Sequence, residues 1–184
     1  MKIISADERL AEKSGAKILL MGPAKIGKTW QLHTLDREGT LFIDLEAGDL
    51  SVQDVPVDAA RPQTWEECRD LACFLTGPNR SLPPTACYSE AHYESIRSGF
   101  EDMQLDKYGT YFIDSITVAA RKCFSWAEQQ PEATAERSGR RDVRAIYGTL
   151  AHEMIGWVTQ LQHARGQRDL RRYSRIRHRR GAPS

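Results

Sequence analysis

An α/β fold, with a mainly parallel sheet flanked by helices, is what this sequence predicts. Three observations carry the expectation. Short apolar, β-branched runs at 16–21, 40–44 and 108–115 alternate with longer stretches whose apolar residues recur at helical spacing. The first run leads into Gly22-Pro23-Ala24-Lys25-Ile26-Gly27-Lys28-Thr29, a complete G-x-x-x-x-G-K-[ST] string. The other two runs end in carboxylates, and in a parallel sheet such strand ends line the same edge as the glycine-bounded loop.

Taken in order, residues 1–15 read as a short lead-in with a helical turn at 7–13. Residues 16–21 are apolar except for Lys17 and form the first expected core strand. The glycine-bounded loop follows, then a helix to about Leu35 that the glycine of Asp36-Arg37-Glu38-Gly39 ends. Residues 40–44, Thr-Leu-Phe-Ile-Asp, suit a strand and run into Leu45-Glu46-Ala47-Gly48-Asp49. From 51 to about 62 the chain is polar and loop-like, with a short strand possible at Val52, Val55 and Val57.

Thr64 and Glu67 have the spacing of a capping box, and Trp65, Cys68, Leu71, Ala72 and Leu75 repeat as one helical face. Gly77-Pro78-Asn79 stops that helix, and 77–88 reads as loop. Residues 88–105 suggest another helix, with Tyr93, Ile96, Phe100 and Met103 on one side. Residues 108–115 form the third strand, and 116–128 a helix with Trp126 turned inward. A polar loop over 129–141 precedes a long helix at 142–165, whose inner face is Val143, Ile146, Leu150, Met154, Trp157, Val158 and Leu161.

The 184 residues suit one domain with a real core, and 40% hydrophobic with 28% charged residues is ordinary for a globular chain. No apolar run approaches the roughly 20 residues that span a bilayer, and residues 1–13 do not read as a signal peptide, so a cytoplasmic location is expected. Cys68, Cys73, Cys87 and Cys123 form no C-x-x-C pair and are expected as reduced thiols. His152-Glu153 opens like a zinc-protease helix, but Gly156 stands where the second histidine belongs. The net charge of +1 conceals an asymmetry. Residues 166–184 hold seven arginines against Asp169 alone, which leaves 19 basic and 24 acidic side chains in 1–165. The expected organisation is a folded body over 1–165 and a basic, disordered tail over 166–184.

The loop string has a mechanism. Gly22 and Gly27 let the backbone curl so that successive N–H groups, from Pro23-Ala24-Lys25-Ile26 onward to Trp30, face a bound phosphate together with the positive end of the next helix. Lys28 would reach the outer phosphates of ATP and Thr29 would offer its hydroxyl to Mg²⁺. Asp114, at the end of an apolar strand, fits the carboxylate that completes the metal site, with Ser115 as an added polar contact. Its alternative role is to cap the helix that follows. Glu46 suits a general base that orients water, with Asp44 and Asp49 as local competitors, and the alternative is a solvated acid in a turn.

The strings Gly22–Thr29, Phe42-Ile43-Asp44-Leu45-Glu46 and Phe112-Ile113-Asp114-Ser115 together resemble the RecA-like P-loop ATPases. In that family the catalytic glutamate follows the strand after the phosphate loop. More narrowly, the chain is similar to small RecA-like nucleotide-binding proteins of phages and prophages used in single-strand annealing and recombination. The stretches that fit are 111–117, 126–131, Tyr147-Gly148-Thr149-Leu150 and Leu161-Gln162-His163, so the likeness covers about 14–165.

The resemblance implies Lys28 and Thr29 on phosphate and Mg²⁺, Glu46 as base and Asp114 as metal partner. It also implies self-association and single-stranded DNA as partner. The loop 129–141 lies where such proteins place a DNA-binding loop, which nominates Arg137, Arg140 and Arg141 for sequence-blind phosphate contacts. Their alternative is pairing with Glu132, Glu136 and Asp142 on a mobile surface loop. In the family a further core strand follows the long helix. None is visible here, so the expected chain is a RecA-like domain lacking its C-terminal strands. The arginine-rich tail is then a by-product of truncation or, alternatively, a basic arm for nucleic acid. Two other readings stay open: a nucleotide-binding remnant without turnover, and a small-molecule P-loop kinase, for which no arginine-bearing lid is recognisable.

Overall fold

The computed structural model describes residues 3, 5–7, 15–46, 51–101, 103–104, 107–135 and 139–162. Three strands, β1 (Thr40–Asp44), β2 (Asp58–Ala60) and β3 (Thr110–Asp114), form one parallel sheet in the order β2-β1-β3. The α-helices are α1 (Trp65–Thr76), α2 (Glu90–Ile96), α3 (Ile116–Ala127) and α4 (Val143–Gln162). All parallel crossovers deliver the strand ends to the same edge, so residues after Asp44, Ala60 and Asp114 are neighbours in space.

The central strand explains the layering. Every residue of β1 is buried, as expected of a parallel strand covered on both faces. Leu41, Ile43 and Leu45 join the larger core with Trp65, Leu71, Leu75, Cys123 and Trp157, under α1, α3 and α4. Phe42, on the opposite face, joins Leu32, Val52 and Val55, and its ring lies 5.9 Å from that of Phe112 on β3. The short 3-10 turn Thr29–Thr34 and the segment 51–57 are thus the cover of the second face.

α1 starts where the sequence predicts. Thr64 Oγ1 accepts from the Glu67 amide at 3.1 Å, and the expected apolar face of Trp65, Cys68, Leu71, Ala72 and Leu75 is buried. The Glu67 carboxylate accepts from the amide of Gln63 rather than of Thr64, a one-residue variation on the capping box. α4 crosses α1 through paired indoles, Trp65 and Trp157, with ring centroids 5.9 Å apart. Trp157 Nε1 donates to the Cys68 carbonyl at 3.1 Å, and Gln160 Nε2 donates to Thr76 Oγ1 at 2.6 Å and to the Gly77 carbonyl at 2.8 Å. The amide of Gln160 therefore satisfies polar groups at the buried C-terminal end of α1. Glu153 accepts from Trp65 Nε1 at 2.9 Å and lies 3.6 Å from Arg69, whose guanidinium covers the half-buried Trp126 ring at 5.6 Å. Glu153 is thus tied into helix packing.

Several expectations are corrected. Residues 16–21 form no strand. They have no regular secondary structure and are exposed, with Ile18 at 78% and Met21 at 84%. The outer edge of β3 pairs with no strand among the described residues, so the apolar run has no hydrogen-bonding partner to make it a strand. The helix after the loop is a six-residue 3-10 turn, shorter-reaching in its dipole than an α-helix of several turns. The valines at 52 and 55 are core residues, and the strand forms at Asp58–Ala60 instead. The expected helix over 88–105 is α2 followed by a 3-10 turn at Arg97–Phe100, with Tyr88 in the left-handed region at φ 67°. Val143 is exposed, because the first turn of α4 extends past α3 and only Ile146 reaches Ala127 and Ala133. Among the described residues no helix is long and apolar enough to cross a membrane. Residues 166–184 lie outside the described residues.

Candidate phosphate-binding site

The loop Gly22–Thr29 begins with tight geometry. A Cβ on Gly22 would stand 3.2 Å from Ile26 Cγ2, and Gly27 has φ 92°, which an L side chain rarely adopts. Lys25 takes the left-handed region as well, at φ 64°. Lys28 Nζ donates to the Gly22 carbonyl at 3.1 Å and to the Pro23 carbonyl at 2.8 Å, so the ammonium lies across its own loop. Pro23, Ala24 and Ile26 are exposed, and Trp30 is 56% exposed with its ring tilted against that of His33, centroids 4.0 Å apart.

Two cross-chain contacts assemble the sheet edge. Thr29 Oγ1 donates to the Asp114 carboxylate, linking the loop to the end of β3. Ser115 Oγ donates to Glu46 Oε1 at 2.7 Å, linking the exposed glutamate to the same strand end. The Leu45 amide donates to the Asp114 carbonyl at 2.8 Å and continues the ladder one step past β1. The Asp114–Ser115 peptide bond is cis. Ser115, not Asp114, occupies the cap position of α3, and it makes no side-chain capping bond there. The Asp114 side chain is committed to Thr29.

Asp44 is removed as a competitor for Glu46. It is 3% exposed and accepts from Arg61 Nε at 3.1 Å, whereas Glu46 faces solvent. Asp49 lies outside the described residues. Arg61 was not legible as a site residue, because the sequence places it in a loop. Only β2, formed at Asp58–Ala60, brings it to the strand edge.

The donor set suits a hard cation. Thr29 and Asp114 offer oxygen, and Mg²⁺ takes one or two protein oxygens while keeping water and phosphate oxygens. Among the described residues there is no group of three or more His, Cys, Asp or Glu side chains that could enclose a metal.

The described residues between α3 and α4 make several local backbone contacts. Pro131–Ala133 forms a 3-10 turn, Thr134 bridges to Arg141, and the Ala135 amide donates to the Arg140 carbonyl at 2.8 Å. Arg141 pairs with Glu128 at the end of α3. Asp142 Oδ1 accepts from the Ala145 amide at 3.0 Å at the head of α4. Arg140 is exposed, and Arg137 lies outside the described residues.

A glycine-bounded phosphate loop, a parallel sheet and carboxylates gathered at its C-terminal edge define an α/β P-loop nucleotide hydrolase fold. A family model described as an AAA domain matches residues 14–169, from ahead of the loop to beyond α4. The chain belongs to this AAA-type P-loop ATPase family. No curated protein and no solved structure matched the chain.

Proposed function

We propose that this chain binds ATP with Mg²⁺ and hydrolyses it in a RecA-like site, driving single-stranded DNA transactions of phage-type recombination as a cytoplasmic homo-oligomer. The observation that carries the reading is the pairing of contacts at one sheet edge: Thr29 with Asp114, and Ser115 with Glu46. The backbone of Gly22 to Trp30 cradles the phosphates. Lys28 exchanges its two carbonyl partners for phosphate oxygens, a stronger charge-assisted pairing. Thr29 and Asp114 hold Mg²⁺, which when bound neutralises charge on the phosphates. Glu46, oriented by Ser115, accepts a proton from the attacking water as it meets the terminal phosphorus in line with the leaving oxygen.

Arg140 and Arg141 support the DNA reading by their place on an exposed loop, with Arg141 leaving Glu128 to engage a backbone phosphate. Such binding would weaken steeply with salt.

A second reading, nucleotide binding without turnover, is favoured by residues 16–21 standing outside the sheet, since the loop then lacks a strand anchor. One experiment separates the two: Mg²⁺-dependent ATP turnover with and without single-stranded DNA, beside Glu46→Gln. DNA-stimulated turnover that falls at least tenfold in the variant establishes the hydrolase. Folded protein that binds ATP without turning it over establishes the second reading.

A further inference from the structure

Asp44 and Asp114 close β1 and β3 in direct register, so both carboxylates leave the same face of the sheet on adjacent strands. Like charges placed this way repel. Each has its own partner. Asp114 is engaged by Thr29 of the phosphate loop, and Asp44 by Arg61, one residue past β2 on the other side of β1. The edge thus reads Arg61, Asp44, Asp114, Thr29 across three strand ends. The Asp44 side chain is 2% exposed while that of Arg61 is 51% exposed, so the guanidinium bridges a buried anion and the solvent at the phosphate edge.

We propose that Arg61 is a positioning residue for the phosphate site. Its guanidinium cancels the buried charge of Asp44. Asp114 is then the carboxylate that Thr29 and a divalent cation meet, and the incoming polyphosphate faces no second anion beside it. The role rests on the nucleotide reading of this edge. A buried carboxylate stripped of its partner has few ways to relax: it takes a proton, draws a cation to the wrong oxygen, or repels the ligand. Arg61 acts through Asp44 and not on the phosphate itself, which sets it apart from an arginine that touches the transferred group.

The test is a titration of the full chain with a fluorescent ATP analogue at fixed Mg²⁺, comparing wild type, Arg61→Ala, Asp44→Asn, the double variant and Arg61→Lys. Arg61→Ala is expected to weaken binding about tenfold, roughly 1.4 kcal/mol. Asp44→Asn and the double variant are expected within about twofold of wild type, and Arg61→Lys within about threefold. Removing the anion removes the need for its counter-ion, an outcome a general packing defect at Arg61 does not produce. Wild-type affinity in Arg61→Ala, or a double variant as weak as Arg61→Ala, overturns the role, and the second result assigns Arg61 to direct phosphate contact. Should Arg61→Ala fail to fold, Arg61→Gln, which keeps a donor without the charge, takes its place beside the double variant, and wild-type affinity in Arg61→Gln overturns the role. Wild-type protein that binds no nucleotide overturns the nucleotide reading itself, a different failure from wild-type binding left unchanged by the substitutions.

Discussion

Ser115 Oγ donates a 2.7 Å hydrogen bond to Glu46 Oε1, joining strand ends 69 residues apart in the chain. The bond fixes one carboxylate oxygen of a solvent-facing side chain and leaves the other for water. Glu46→Gln keeps the shape and removes the base, so turnover is expected to fall at least tenfold with nucleotide affinity within about threefold of wild type. Ser115→Ala frees the carboxylate without removing it, and a smaller loss of about three- to tenfold in kcat is expected. Steady-state hydrolysis and equilibrium binding on the same samples check both.

Under the proposed nucleotide reading, Lys28 and Thr29 are expected to act on the ligand more than on the fold. Among the described residues, Lys28 Nζ bonds the Gly22 and Pro23 carbonyls of its own loop. Lys28→Ala is expected to weaken ATP binding more than tenfold, the scale of a lost charge-assisted bond, while leaving the unliganded melting temperature within about 2 °C. Gly27→Ala tests the backbone directly. At φ 92° a Cβ is strained, and ligand affinity is expected to drop without a charge change.

The crossing of α1 and α4 sets the stability of the helical layer. Trp157→Ala removes the indole against Trp65 and the bond to Cys68, with an expected cost of about 3–5 kcal/mol. Gln160→Leu removes the buried donor to Thr76 Oγ1 and the Gly77 carbonyl, while Thr76 keeps its own 2.8 Å bond to the Ala72 carbonyl, with an expected cost of about 1–3 kcal/mol. Denaturant unfolding of each variant gives the numbers.

The buried thiols give stability a pH dependence. Burial pushes Cys68 up to about 11 and Cys73 and Cys123 up to about 12. An unfolded thiol ionises near about 8.5, so the folded state holds protons that the unfolded state releases. The stabilisation is whole below that value and is lost as pH rises through about 11 to 12. Unfolding free energy should therefore fall between pH 9 and 11. At pH 8 a thiol reagent should label Cys87, the half-buried one, first and reach the other three only on adding denaturant.

What the sequence made legible was whatever local chemistry decides. The cap at Thr64, the inner face of α1 and the strands at 40–44 and 110–114 follow from residue type and spacing alone. Pairing is less local. Residues 16–21 have strand composition, but a strand needs a neighbour, and β3 offers its outer edge to none among the described residues. Of the site, Asp114, Ser115 and Glu46 lie together because they follow the adjacent strands β1 and β3, whereas Thr29 meets Asp114 from a loop with no strand ahead of it. Arg61 escaped notice because Asp58-Ala59-Ala60 has little strand character, and its place was set by pairing with β1. Arg141 shows a further limit. Its partner Glu128 sits 13 residues back at the end of α3, brought near only when the intervening loop folds upon itself.

The four tryptophans fall into two optical environments. Trp65 and Trp157 are sealed together in the core, and Trp126 lies under Arg69 at its margin, so their emission is blue-shifted while the helices hold and shifts red when they part. Trp30 is exposed one residue past Thr29, its ring tilted against the His33 imidazole. Its emission at the red end of the spectrum should respond to nucleotide at the neighbouring loop if the proposed site is right. One unlabelled sample, read at two wavelengths, thus separates loss of the ligand from loss of the fold.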